Sequence, residues 1–140
     1  MSLFAPAIFV FEKAPRWEPE LKRRLADGQV LVRPCRSAQD LLALCRQAPG
    51  SVAVIDFAAG MAEGWRLVQA LAGLSLGIAP VVIGSRETAE LEWPARDLGA
   101  AGFVTDRIGG DALADICRRL LEPSDRGAAS SFLPPLVRGG

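Results

Sequence analysis

The stretch Ser51–Gly60, SVAVIDFAAG, decides the fold of this chain. Its residues 52–55 form a short apolar run, which is typical of a strand buried on both faces of a parallel sheet. The run ends in Asp56, and small residues follow it. In open α/β sheets ligands bind where the strands end at their carboxyl edge, so Asp56 is the first candidate for chemistry.

Four other segments have the composition of strands, and helical patterns separate them. The five predicted strands cover residues 7–11, 29–32, 51–56, 80–83 and 99–105. This alternation at short spacing predicts an α/β fold, a doubly wound five-stranded parallel sheet with helices on both faces. Connections between parallel strands are right-handed crossovers, and five-stranded doubly wound sheets commonly have the strand order 2-1-3-4-5. We therefore predict that order.

The first two helices are predicted from apolar spacing and from their caps. Leu21 and Leu25 lie four residues apart in the first helix, and Gly28 is expected to end it. Ser37 precedes Asp40 by three residues, a spacing that predicts a cap at the start of the second helix.

The later helical segments are of unequal strength. Amphipathic patterns predict helices over residues 62–74 and 111–121. Residues 86–98 give a weaker helical pattern, which Pro94 is expected to break or kink.

Composition predicts one folded domain followed by a tail. The chain has 140 residues, of which 50% are hydrophobic, so residues 1–122 are expected to form a single domain with its own core. Residues 123–140 are rich in Gly, Ser and Pro and are predicted to be a flexible tail. A docking motif at Phe132, Leu133 and Leu136 is the alternative interpretation of that tail.

Charge and residue usage exclude several classes of function. Sixteen basic and sixteen acidic residues cancel, so no basic face predicts nucleic-acid binding. No apolar run approaches the roughly 20 residues of a membrane span. The absence of histidine removes His-based metal sites and catalytic triads. Cys35, Cys45 and Cys117 form no CxxC pair, which favours buried thiols in a reducing cytoplasm.

Taken in order, residues 7–121 resemble the receiver domain of bacterial response regulators, which has a flavodoxin-like fold. Asp56 stands where receivers carry the phospho-accepting aspartate, at the end of strand three. Ser85 ends strand four, where receivers place a hydroxyl that meets the phosphoryl group. Gly64 matches the glycine that opens helix three, and GAAGF at 99–103 is similar to the approach to the fifth strand.

The chain departs from the receiver pattern at two positions that bear on chemistry. Receivers end strand one with an acidic pair that holds a divalent cation, and here the pair is Glu12 and Lys13. Receivers also carry a lysine after strand five, where this chain has Asp106. A Mg²⁺ ion would therefore have only Glu12 and Asp56 as carboxylate ligands. We expect a charge-swapped site, in which Lys13 pairs with Asp56, Asp106 or both in place of the cation.

Two further residues are assigned to the site by the resemblance. Arg86 follows Ser85 where receivers keep a small residue, and it is expected to screen the site or to supply the missing cation. Phe103 stands where receivers carry an aromatic switch residue, and packing within the strand is the alternative.

The resemblance implies a stand-alone, non-enzymatic module of bacterial signalling. We expect a degenerate receiver, or pseudo-receiver, with no cofactor, since Mg²⁺ is needed only if the site is active. The partner would be a histidine kinase, a downstream effector or a second copy of the chain, contacted through Glu87–Leu121. One alternative is a working receiver that a histidine kinase phosphorylates at Asp56. The other is an unrelated flavodoxin-like enzyme or cofactor binder, against which no GxGxxG or P-loop pattern follows strand one.

Overall fold

The computed structural model describes residues 5–122, so the predicted tail at 123–140 lies outside the described residues. The five strands form one parallel sheet in the order 2-1-3-4-5, as predicted. They are β1 (Ile8–Phe11), β2 (Val32–Cys35), β3 (Val52–Asp56), β4 (Ala79–Gly84) and β5 (Gly102–Thr105).

Five α-helices connect and follow the strands. They are α1 (Trp17–Arg24), α2 (Ala38–Gln47), α3 (Met61–Gly73), α4 (Glu92–Asp97) and α5 (Gly110–Leu120). Short 3₁₀ turns lie at Ala26–Gly28, Phe57–Ala59 and Arg86–Leu91. Within residues 5–122, no helix combines the length and the apolar character that crossing a bilayer requires.

Apolar side chains cover both faces of the sheet, and β3 shows the arrangement most simply. Val52 and Val54 pack in the cluster that includes the apolar residues of α1 and α5. Ala53 and Ile55 point the other way, into the cluster that α2, α3 and α4 cover. The continuous apolar run in the sequence follows from this burial on two sides.

The second strand lies three residues later than predicted. The prediction of 29–32 was wrong because α1 ends at Arg24 and the 3₁₀ turn at Ala26–Gly28 extends the connection. Gln29 then adopts a left-handed conformation, with φ of 59°, which ends that turn. The strand is paired only with β1, and such an edge position tolerates the missing N–H of Pro34.

Pro94 lies inside α4 without interrupting it. The helix begins at Glu92, so Pro94 is its third residue, where a backbone N–H would have no partner within the helix. The weak pattern over residues 86–98 is a 3₁₀ turn followed by this short α-helix. The change of helix type therefore comes before the proline rather than at it.

Candidate functional site

The carboxyl ends of three neighbouring strands meet at one surface hollow of about 220 Å³. Asp56 ends β3, Ser85 follows β4, and Asp106 follows β5. All three line this hollow, which we call the Asp56 hollow. Parallel strands bring their carboxyl ends to a common edge, so the sheet order alone explains why these residues come together.

Both oxygens of the Asp56 carboxylate accept hydrogen bonds from the chain itself. Oδ1 accepts from the backbone N–H of Ala58 at 2.9 Å. Oδ2 accepts from the indole Nε1–H of Trp17 at 3.2 Å. Trp17 is only 2% exposed, so its indole is held in place by the core beside α1. A buried indole N–H needs an acceptor, and Asp56 supplies it.

Glu12 is engaged by the start of the first helix. Its Oε1 accepts the backbone N–H groups of Arg16 and Trp17, at 3.1 and 2.9 Å. Its Oε2 accepts the backbone N–H of Glu18 at 3.0 Å. The first N–H groups of a helix have no partner within it and carry partial positive charge. Glu12 therefore caps α1.

Lys13 does not form the ion pairs that the charge-swapped site requires. Its side chain is exposed and lines a different hollow, beside Pro34 and Cys35. In the part of the chain that the structure describes, no salt bridge joins Lys13 to Asp56 or Asp106. The expected pairing of Lys13 with Asp56 or Asp106 was wrong. Glu12 turns toward α1, and Lys13 therefore lies on the β2 side of the loop.

The cation that reaches the Asp106 loop is Arg16. Its guanidinium lies 4.0 Å from the centroid of the Trp17 ring and donates a hydrogen bond to the backbone carbonyl of Asp106. Arg16 and Trp17 thus join the β1–α1 loop to Asp56 and to the β5–α5 loop. Neither residue was predicted from the sequence to belong to the site. The available signal was a tryptophan in the first turn of an amphipathic helix, whose polar N–H needs a partner when the ring is buried.

The residues after β4 bond mostly among themselves. The backbone N–H of Ser85 donates to Thr88 Oγ1 at 2.7 Å, and that hydroxyl donates to the Ser85 carbonyl. The backbone N–H of Glu87 and the Ser85 side chain hold the pKa of the Glu87 carboxyl below its usual range.

Arg86 is exposed and does not line the Asp56 hollow, so the structure does not place it as the missing cation.

Phe103 belongs to the core in this structure. It is 8% exposed, and its ring meets Phe57 edge-on with centroids 6.5 Å apart. A Cβ added to Gly84 would come within 2.8 Å of the same ring. Close packing on these sides supports the interpretation of Phe103 as a packing residue, and its switching role stays a prediction.

The residues at this edge do not fit the ligand set of a magnesium ion. Among residues 5–122, no group of three or more Asp, Glu or Cys side chains is close enough to hold a metal. Mg²⁺ requires hard oxygens in octahedral geometry. Glu12 turns its two oxygens to backbone N–H groups, and Asp56 has donors on both of its own.

Comparison with known proteins identifies the fold. No protein-family model matches the chain, and no curated protein matches it in sequence. The receiver domain of TorR, the response regulator of the TMAO respiratory system, superposes with a TM-score of 0.69 at 18% identity, over 83% of this chain and 97% of that one. The receiver domain of NtrX from Brucella abortus gives 0.66 at 22%, over 82% and 98%.

A third receiver structure agrees with these two. The response regulator receiver domain protein from Clostridium thermocellum gives a TM-score of 0.70 at 13% identity, over 86% of this chain and 98% of that one. A longer NtrX chain from Brucella abortus gives 0.74, although this chain covers only 32% of it. The chain therefore has the fold of response-regulator receiver domains.

Proposed function

We propose that this chain is a receiver-type signalling module that acts through protein–protein contacts, without Mg²⁺-dependent phosphoryl transfer to Asp56. One observation carries the proposal: the chain's own N–H donors engage the carboxylates of Glu12 and Asp56. In a working receiver these oxygens would face the cation and the phosphoryl group. In this proposal the hydrogen bonds at the carboxyl edge of the sheet hold the β1–α1 loop against Asp56 and the β5–α5 loop.

The energetic cost of breaking the hydrogen bonds to Glu12 supports the proposal. A side chain that accepts hydrogen bonds from the first N–H groups of a helix typically stabilises a protein by about 0.5–2 kcal/mol. Glu12 accepts three such bonds. Turning it toward a cation would forfeit these bonds, at a cost of about 1–2 kcal/mol, and leave the N–H groups at the start of α1 without their acceptor. The hydrogen bonds therefore favour the capped arrangement.

The charges around Asp56 support the same conclusion. Phosphoryl transfer to a carboxylate needs positive charge to offset the repulsion between two anions. Asp106 brings a negative charge to the hollow instead. The guanidinium of Arg16 is directed to the Trp17 ring and to the Asp106 carbonyl.

The partner surface in this proposal is the segment Glu87–Leu121. Trp93 on α4 is 73% exposed, the largest fraction among the exposed large hydrophobic residues of the described chain. Tryptophan is enriched at the centres of protein interfaces because it buries a large area and carries one N–H donor. A histidine kinase, a downstream effector or a second copy of the chain would bind here.

A working receiver is the second candidate, and the open Asp56 hollow favours it. Asp56 is half-buried rather than enclosed, and the hollow beside it is also lined by Ser85 and Thr88. A phosphoryl group could enter this space if Trp17 moved away.

Phosphoryl uptake distinguishes the two candidates. The wild-type chain and the Asp56→Asn variant would be incubated with acetyl phosphate and Mg²⁺, and intact masses would be recorded. The proposal predicts no phosphoryl adduct on either protein, with circular dichroism showing that both are folded. A single adduct on the wild-type chain that is absent from Asp56→Asn would establish the working receiver instead.

A further inference from the structure

An apolar cleft of about 300 Å³ lies at the amino end of the sheet, away from the Asp56 hollow. Pro6, Phe9, Leu31, Leu44 and Ala48 line its apolar part, which we call the β2 cleft. Leu31 is 57% exposed, although burying a large apolar side chain normally stabilises a protein. It directly precedes β2, an edge strand whose outer backbone groups have no strand partner in the described sheet.

The last helix ends at the same end of the sheet as this cleft, on the opposite face. Leu120 and Leu121 pack against the same apolar cluster as Val30, and Arg118 lines a surface hollow together with Val30. Leu31, the next residue along the chain, lines the β2 cleft. The polypeptide that follows Glu122 therefore leaves α5 at the same end of the sheet as the cleft, on the opposite face and next to the edge strand β2 that separates the two.

The sequence after Glu122 contains a segment that can reach the cleft and fill it. Residues 132–136 are FLPPL, with three large apolar side chains around two prolines. The ten residues from 123 to 132 span at most about 33 Å when extended. A domain of this size has a radius of gyration of about 14 Å, so the linking length is ample.

The chemistry of the segment matches the polar rim of the cleft. Consecutive prolines favour the extended polyproline II conformation, which has no internal hydrogen bonds and loses little entropy on docking. Its carbonyl groups therefore need donors from the surface that binds it. Gln29, Arg33 and Gln47 also line the cleft, and each carries side-chain N–H donors.

We propose that residues 132–136 dock into the β2 cleft of the same molecule. Phe132 and Leu133 cover Leu31, and the rim donors bond the carbonyls of the proline-rich segment. The docked segment also shields the outer edge of β2 from pairing with other chains. Leu3 and Phe4, which precede the cleft wall in sequence, are the rival occupant that the experiment must exclude.

Paramagnetic NMR on the full-length chain tests this placement. A nitroxide would be attached at Ser131→Cys. Cys35, Cys45 and Cys117 are buried with thiol pKa values raised by that burial to about 12, so the introduced thiol is the reactive one. The proposal predicts that the amide signals of residues 29–33 and 44–48 lose most of their intensity, while those around Asp56 keep theirs.

Matched variants assign the effect to the segment and to the cleft. In the labelled chain, replacing Phe132, Leu133 and Leu136 by Ser should restore the cleft signals, whereas Ser130→Ala should not. Leu31→Ser should restore them as well. Because Leu31 is exposed, that variant is expected to keep its fold, and the amide spectrum verifies this.

Three results would overturn the proposal. The first is a label that attenuates no cleft amide. The second is attenuation that survives the triple substitution, or nuclear Overhauser contacts that place Phe4 in the cleft instead. The third is equal attenuation when isotope-labelled chain is mixed with unlabelled, nitroxide-bearing chain, since that would make the occupant the tail of a second copy.

Discussion

At the scale of single residues, Glu12 and Trp17 determine what the carboxyl edge of the sheet can do. The carboxylate of Glu12 accepts hydrogen bonds from backbone N–H groups in the first turn of α1. One of these groups belongs to Glu18, the second residue of the helix. Trp17, the first residue of α1, donates its indole N–H to Asp56. Two carboxylates are thus tied to one helix end, and that helix end acts as the bridge between them.

Removing the cap should destabilise the protein. We expect Glu12→Ala to lower the free energy of unfolding by about 1–2 kcal/mol, the usual cost of losing a helix cap. The neighbouring substitution Lys13→Ala is the control and should change it by less than about 0.5 kcal/mol, because Lys13 is exposed. Urea denaturation followed by circular dichroism measures both. Equal effects of the two substitutions would contradict the capping role.

The bond between Trp17 and Asp56 is best measured as a coupling. A double-mutant cycle with Trp17→Phe and Asp56→Ala removes the packing cost of each substitution from the result. We expect a favourable coupling of about 1 kcal/mol, since a neutral donor meets a charged, half-buried acceptor. A coupling near zero in urea denaturation would mean that the indole and the carboxylate do not interact in solution.

The sequence predicted some of these site residues and not others, for a physical reason. Asp56, Ser85 and Asp106 each follow an apolar strand, and parallel strands end at one edge, so their meeting is predictable. The roles of Trp17 and Glu12 depend on the path of the β1–α1 loop. That path decides which side chain turns toward the helix and which toward β2, and no periodic pattern encodes it.

At the scale of elements, α3 is held against the segment that follows Asp56. Gly64 is buried in α3, and a Cβ there would come within 2.6 Å of the Phe57 ring. Gly73 lies in the same helix with nothing within 4 Å of its added Cβ. The two glycines differ in their surroundings but share a helical backbone.

This contrast predicts opposite effects of the same substitution. Gly64→Ala should destabilise the protein by about 1–3 kcal/mol, because the methyl group has no room beside the ring. Gly73→Ala should be neutral or stabilising by up to about 1 kcal/mol, since alanine is the better helix former. Thermal and urea denaturation would measure both, and destabilisation by Gly73→Ala as large as that by Gly64→Ala would contradict the packing described for α3.

The elements also show where sequence patterns lose precision. β3 and α3 were predicted within a residue or two because apolar patterns define them, a short continuous run in β3 and a helical spacing in α3. β2 was misplaced because a 3₁₀ turn and the left-handed Gln29 lengthen the connection after α1, and neither leaves a periodic signal. Ser37 does cap α2, accepting the backbone N–H of Asp40, since that interaction is local in sequence.

At the scale of the whole molecule, the core controls the response to alkaline pH. Burial raises the thiol pKa of Cys35, Cys45 and Cys117 to about 12, from an ordinary value of 9.0. Between these values the unfolded chain has released thiol protons that the folded chain keeps. Raising the pH therefore draws the equilibrium toward the unfolded chain.

We expect the free energy of unfolding to be steady up to about pH 9 and to fall between pH 9 and 12. The chain contains no Tyr and no His, which simplifies the assignment of this loss to the thiols. Urea titrations across this range measure it.

At pH 8 a thiol reagent should modify none of the three cysteines in the folded chain and all three in urea. Rapid labelling of the folded chain would contradict the described core.

The central claim is that Glu12 and Asp56 are satisfied by N–H groups of the chain rather than by a cation. The most direct test is a Mg²⁺ titration of the wild-type chain, followed through the backbone amide signals of Arg16, Trp17 and Glu18 and the indole N–H signal of Trp17. The structure predicts that these signals keep their positions, apart from small, unsaturable drifts with ionic strength. A saturable shift of the same four signals would show that Mg²⁺ displaces the donors, and it would contradict the claim.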